Sequence, residues 1–257
     1  MKQEQSLLRI QNIQKYYGSN NHNIVKALDD ISFDVNEGEF LGIMGASGAG
    51  KTTLLNCIST IDTVSSGHVM LGGEDISALK NKMLAQFRRK NLGFVFQDFS
   101  LLDHLTIYDN IALALAINGV SPSEMKQRVE TIAKQLEIYE ILQHYPYEVS
   151  GGQKQRCACA RAIINQPKLV LADEPTGALD SHSAQMLLET MCDMNGKLGT
   201  TFIMVTHDAL SASYAKRVIF LKDGKIYIEL QDDAFLCGYF FVCRDIQHEK
   251  TDKNEAD

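Results

Sequence analysis

No run of 18 or more apolar residues occurs in this chain, and a helix needs about that length to cross the hydrocarbon of a bilayer. If the protein serves a membrane process, another polypeptide supplies the path. The opening residues 1–6 are polar and carry no apolar h-region, so no secretory leader is read there. Basic charge is not in excess: 25 Lys and Arg stand against 32 Asp and Glu, for a formal net charge of −7. Nucleic acid is gripped by clustered cations, so this balance argues against it as a partner. Internal repeats and low-complexity tracts are missing as well, which removes repeat architectures. Cysteines are present but form no metal pattern. Cys157 and Cys159 lie two apart on an expected helix, where such residues do not share a face. With Cys57, Cys192, Cys237 and Cys243 they are expected as free thiols in a reducing compartment.

What remains is a chain of 257 residues, 45 % hydrophobic, enough for one large α/β domain with an inserted subdomain. Its two most apolar patches, 111–117 and 235–242, are too short to span a membrane and read as buried helix or strand. Residues 7–13 and 31–35 alternate as strands, 36–39 read as a turn, and 40–44 as a buried parallel strand. A glycine-rich loop and a helix over about 51–58 follow. From about 83 to 162 helical periodicity dominates; Met125, Val129, Ile132 and Leu136 recur at three- and four-residue spacing. Strand and helix then alternate again: strands at 169–172, 201–205 and 217–221, a helix at 183–194, and a hairpin turn at Asp223-Gly224 leading into 225–230. Residues 246–257 read as a polar tail after a domain over 1–245.

Three segments carry chemistry. Gly45-Ala46-Ser47-Gly48-Ala49-Gly50-Lys51-Thr52 has the form GxxxxGK[ST] between an expected strand and an expected helix. Such a loop turns backbone N–H groups toward phosphate oxygens, and the helix start adds donors and a dipole. Lys51 is expected at the β- and γ-phosphates, Thr52 at Mg²⁺, and Thr53 beside them. The second segment is an apolar strand, 169–172, ending in Asp173-Glu174. Asp173 is expected to hold Mg²⁺ and Glu174 to polarise the attacking water. In the third, Ser150-Gly151-Gly152-Gln153, Ser150 is a natural helix N-cap and the glycines expose N–H groups. That makes a second phosphate-binding device in one chain.

These segments, in this order, resemble the ABC ATPase superfamily over about residues 7–230. The resemblance implies a P-loop NTPase core with a parallel sheet, an N-terminal antiparallel β subdomain and an inserted helical subdomain at about 83–162. It implies ATP and Mg²⁺ as cofactors and a head-to-tail homodimer in which Ser150, Gly151, Gly152 and Gln153 of one copy close over the loop of the other. Gln97 matches the glutamine that ligates Mg²⁺ and senses the membrane subunit. Asp180, in Gly177-Ala178-Leu179-Asp180, matches the segment that crosses the dimer interface. His207 matches the histidine on the γ-phosphate. Tyr17 matches the aromatic that stacks on adenine, with Tyr16 as the alternative. Two positions depart from the family pattern: Val149 stands for the usual leucine, and Ala172 for a bulkier apolar residue.

The runs at 27–33, 93–102 and 173–181 resemble the lipoprotein-release and macrolide-export group, and within it the bacitracin and lantibiotic resistance branch. That likeness implies a motor on the cytoplasmic face of a bacterial membrane, driving a separate integral permease. A soluble ATPase acting on a non-membrane partner is the alternative of another class. An apolar groove built by Phe99, Leu101, Leu102 and Leu105 beside Gln97 would favour the transport motor.

Overall fold

The structure is a computed structural model and describes residues 6–18, 24–96 and 98–231. Gln97, Cys237, Cys243, the 235–242 patch and the 246–257 tail lie outside the described residues.

Four strands of the central sheet follow one sequence rule. In β3 (Phe40–Gly45), Phe40 and Met44 enter one apolar cluster while Leu41 and Ile43 enter another. Val170 and Ala172 against Leu169 and Leu171 do the same in β7 (Leu169–Asp173). β8 (Phe202–Val205) and β9 (Arg217–Lys222) repeat the split. Side chains alternate across a strand, so a continuous apolar run means that both faces are covered. With β6 (Leu92–Phe96) and β10 (Lys225–Gln231) these strands form a six-stranded sheet in the order β10-β9-β3-β8-β7-β6, parallel except for the antiparallel β9–β10 hairpin.

One face carries helices α3 (Ile107–Ala116), α4 (Pro122–Gln135), α5 (Gly151–Ile163) and α6 (Ser181–Leu198), whose buried residues share the first cluster. The other face carries α1 (Lys51–Ile58) and a four-stranded antiparallel sheet. Its members are β1 (Ser6–Tyr17), β2 (Val25–Asn36), β4 (Ser66–Leu71) and β5 (Glu74–Asp75).

Two expectations change. Residues 92–96, inside the segment read as helical, form strand β6 at the edge of the central sheet. A Cβ on Gly93 would stand 2.3 Å from the Ala162 carbonyl oxygen, so only glycine lets α5 lie this close to the strand. Of the segment about 83–162, helix α2 (Asn81–Asn91) precedes that strand and the remaining helices begin at Ile107. The first two strands also run longer than read. Asn12 and Asp30 both take left-handed backbone (φ 48° and 60°), and the Asn12 amide donates to the Asp30 carboxylate at 2.8 Å. The irregularity is closed by its own hydrogen bond, and pairing resumes beyond it, from Lys15 opposite Leu28 to Tyr17 opposite Val25.

Candidate nucleotide site

Parallel register builds the site. Phe96 pairs with Asp173, and Asp173 with Val205. Glu174 and Thr206, which follow β7 and β8, therefore emerge side by side at the carboxyl edge of the sheet, where open α/β sheets hold ligands. Gly45, at the end of β3, pairs with Leu221 on its other side.

Here the chain turns through the loop into α1. A Cβ on Gly45 would meet the Leu221 carbonyl oxygen at 2.4 Å. Gly50 has φ 100° and its Cβ would meet the Ala27 carbonyl oxygen at 2.6 Å, so both positions exclude a side chain. The Gly224 N–H donates to the Ala49 carbonyl at 3.2 Å, tying the β9–β10 turn to the loop. Lys51 is buried and its ammonium donates to the carbonyls of Gly45 and Ala46 at 2.8 and 3.1 Å, which holds the charge across the loop.

A cavity of about 700 Å³ opens there, lined by Ser47, Gly48, Lys51, Thr52, Thr53, Glu174 and His207 among others. Val25 and Lys26 line it too, and β1 places Tyr17 opposite Val25 and Tyr16 opposite Lys26. Thr53, one of the lining residues, stands beside the Tyr17 phenol and opposes its upward shift.

Glu174 sits in left-handed backbone (φ 45°); such strain is held only where surrounding bonds over-determine it. Its N–H donates to the Val205 carbonyl at 2.9 Å, and its Oε2 lies 2.9 Å from His207 Nδ1 and 3.3 Å from the His207 backbone N–H. Carboxylate and imidazole are thus a direct pair, with Glu174 the more buried and His207 70 % exposed.

Asp173 suits a cation. Burial first, then the neighbouring Glu174, push its carboxyl above the usual range, and Lys51 only partly opposes them. Its Oδ1 is buried without a hydrogen-bond partner among the described residues, a cost that a bound metal ion removes.

Ser150, Gly151, Gly152 and Gln153 lie outside the cavity lining. They open α5 through a capping box: Ser150 Oγ accepts the Gln153 N–H at 3.3 Å, and Gln153 Oε1 accepts the Ser150 N–H at 2.9 Å. Asp180 caps α6. Its carboxylate accepts the N–H groups of His182 and Ser183 and the Ser183 hydroxyl, and bonds from Ser183 hold it below the usual range.

A family sequence profile described as ABC transporter matches residues 28–177. The chain belongs to that family. An ATP-binding protein from Halalkalibacterium halodurans, named bacitracin export ATP-binding protein BceA, is 50 % identical over 227 residues, covering 88 % of each chain. The lipoprotein-releasing system ATP-binding protein LolD of Bacteroides thetaiotaomicron is 40 % identical over 220 residues, covering 86 % of this chain and 99 % of its own length. A solved dimer of the ATP-binding cassette MJ0796 with ADP and Pi superposes with a TM-score of 0.78 at 36 % identity, over 87 % of this chain and 98 % of the other. This ABC cassette is an ATP-binding, ATP-hydrolysing subunit with the α/β P-loop NTPase fold. ABC ATP-binding subunits work with membrane permeases, and no described helix of this one is long and apolar enough to cross a membrane.

The apolar groove lies elsewhere than the sequence suggested. Leu101 packs into the core and Leu102 is exposed. A groove of about 430 Å³ is lined instead by Phe94, Phe96, Ala114, Ile117, Ala162 and Arg161 among others. The Phe94 and Phe96 rings stack at 5.7 Å on one face of β6. Sequence reading also missed two anchors of the segment after Gln97. Arg161 donates to the Phe99 and Ser100 carbonyls at 2.9 and 2.5 Å, and both acceptor residues have positive φ. Asn110, fully buried, donates to the carbonyls of Leu102, Leu105 and Thr106 and accepts the Leu102 N–H. Four bonds on one buried side chain, three of them sharing the two amide hydrogens, fix that segment.

Proposed function

We propose that two copies of this chain bind two ATP molecules head to tail and, by hydrolysing them, drive a separate integral membrane permease from the cytoplasmic face of a bacterial membrane. The observation that carries this is the separation of the two phosphate-binding devices. The loop and Glu174 line one cavity, whereas Ser150, Gly151, Gly152 and Gln153 lie outside it. Only a second copy brings that helix start, with its N–H groups and dipole, over the phosphates. The dimeric state of the MJ0796 cassettes supports the reading.

Within each site Tyr17 takes the adenine, the 45–53 loop cradles the phosphates, and Lys51 neutralises the β- and γ-oxygens. Thr52, Asp173 and Gln97 hold Mg²⁺, which when bound draws charge from the phosphate oxygens. Glu174 orients and deprotonates the attacking water. His207 is paired with that carboxylate and reaches the γ-phosphate, so Glu174 and His207 act as one catalytic unit. Asp180, at the start of α6, passes the state of one site to the other.

The permease socket is the Phe94–Phe96 groove, which receives an amphipathic helix. Likeness to BceA over most of both chains points to protection against bacitracin-like or lantibiotic-like peptides; lipoprotein release and macrolide export are the alternatives within the group. The test is genetic. Deleting the gene lowers the minimal inhibitory concentration of such peptides several-fold, and the Glu174→Gln allele fails to restore it. Unchanged peptide sensitivity with mislocalised lipoproteins would refute the peptide assignment.

A further inference from the structure

A buried ion pair beside the phosphate loop has no part in the chemistry described so far. Lys15 is 7 % exposed, although lysines are almost never buried unless paired. Its ammonium donates to Asp62 Oδ1 at 2.6 Å and to the Thr63 carbonyl at 2.7 Å. The other carboxylate oxygen of Asp62 accepts the Tyr17 hydroxyl at 2.7 Å. The same ammonium lies 4.9 Å from the centroid of the Tyr17 ring. Lys15 is buried while Tyr17 is 42 % exposed, so the cation covers the inner side of the ring and leaves the outer side open. Burial, then Asp62, raise the Tyr17 phenol and keep it a donor. Burial alone would raise the Asp62 carboxyl, but bonds from Lys15 and Tyr17 outweigh it and hold it below the usual range.

The triangle is also tied to the phosphate site. The N–H groups of Ile61 and Asp62 both donate to the Asn56 carbonyl in the last turns of α1, the helix that begins with Lys51 and Thr52. One short helix thus fixes the phosphate grip at one end and the anchor of the aromatic ring at the other. Stability alone does not explain the pair, because buried ion pairs are often matched or bettered by apolar residues of similar size.

We infer that Lys15 and Asp62 are positioning residues for base recognition: they fix the tilt of the Tyr17 ring and polarise it from the inner side, so that its outer face prefers a purine over a pyrimidine. The inference rests on the reading of Tyr17 as the base platform. A cation on one face of a tyrosine draws π density toward itself, and the other face then stacks best on a large electron-rich ring.

Calorimetric titration of ATP, CTP and inorganic triphosphate against wild type, Tyr17→Phe, Lys15→Met, Lys15→Arg and Asp62→Asn tests it. Triphosphate binding needs only the loop and stays unchanged in every variant. ATP affinity falls about three- to tenfold in Lys15→Met and Asp62→Asn, the ATP-to-CTP preference falls with it, and Lys15→Arg restores both. ATP and triphosphate weakening in parallel would assign the pair to packing alone and overturn the inference. Tyr17→Phe removes only the anchoring hydroxyl of a half-exposed ring, so it tests the idea even if the charge variants fold poorly; an unchanged ATP-to-CTP ratio there would also overturn it. Lys51→Ala separates the two levels. If that variant still binds triphosphate normally, the phosphate-site reading itself is wrong.

Discussion

Replacing Glu174 by glutamine isolates the proposed base from every other part of the site. The side chain keeps its size, and its amide oxygen still accepts the His207 backbone N–H that now reaches Glu174 Oε2 at 3.3 Å. The bond from the Glu174 N–H to the Val205 carbonyl is main-chain and is unaffected. Folding stability should therefore change by no more than about 0.5 kcal/mol, as for substitutions that break no packing or network. In a chain of 257 residues that shifts Tm by about 2 °C or less. What is lost is the carboxylate. General-base contributions of about 10²–10⁴ correspond to roughly 3–5 kcal/mol of barrier. Phosphate release by the purified variant should drop at least a hundredfold, while a fluorescent ATP analogue still binds. Size-exclusion chromatography with MgATP should show the variant accumulating as a dimer. Turnover within about threefold of wild type would refute the role of Glu174, because no general base is worth so little. Loss of nucleotide binding along with turnover would make Glu174 a binding group instead.

Two further substitutions probe the site's cost and its coupling. Asp173→Asn should raise Tm in metal- and nucleotide-free buffer at pH 7. The Asp173 carboxyl is held above its usual range, so its ionised form costs the folded state more than the unfolded, and that cost is relieved as pH falls through the folded pKa. The variant's advantage should accordingly shrink toward acid pH and be offset by MgATP added to wild type; a lower Tm in metal-free buffer would contradict the argument. Arg161→Met removes two charged hydrogen bonds to the Phe99 and Ser100 carbonyls, a loss of about 2–3 kcal/mol. Thermal scans should show Tm lower by roughly 5–10 °C, and an unchanged Tm would show that the segment holds its own shape.

Motif context makes most of the site legible in the sequence. A strand, a glycine loop and a helix in succession announce a P-loop because each part has its own local signal, and α1 begins at Lys51 as that spacing implies. The capping box at Ser150 is likewise written in four consecutive residues. Lys15 was invisible for the opposite reason. On a strand it reads as an ordinary solvent-facing charge, and its partner Asp62 is 47 residues away. Strand β6 was missed because five residues between two helical stretches give too little alternation to identify; the useful signal was Gly93 inside a β-branched and aromatic run. The groove was misplaced for a related reason. Phe94 and Phe96 share a face only once residues 92–96 are known to be a strand.

The composite site is the central claim, and mixing two defective chains tests it most directly. Lys51→Ala disables the loop of one copy and Gly152→Asp the helix start of the other. At Gly152 a Cβ would meet nothing closer than 3.5 Å, the Ser183 hydroxyl, so the aspartate acts on phosphate binding rather than on folding. In a head-to-tail heterodimer both lesions fall in one site and the other site is intact. ATP occlusion by the mixture in the presence of Mg²⁺ should exceed that of either variant alone. A mixture that occludes no more ATP than its components would contradict the account.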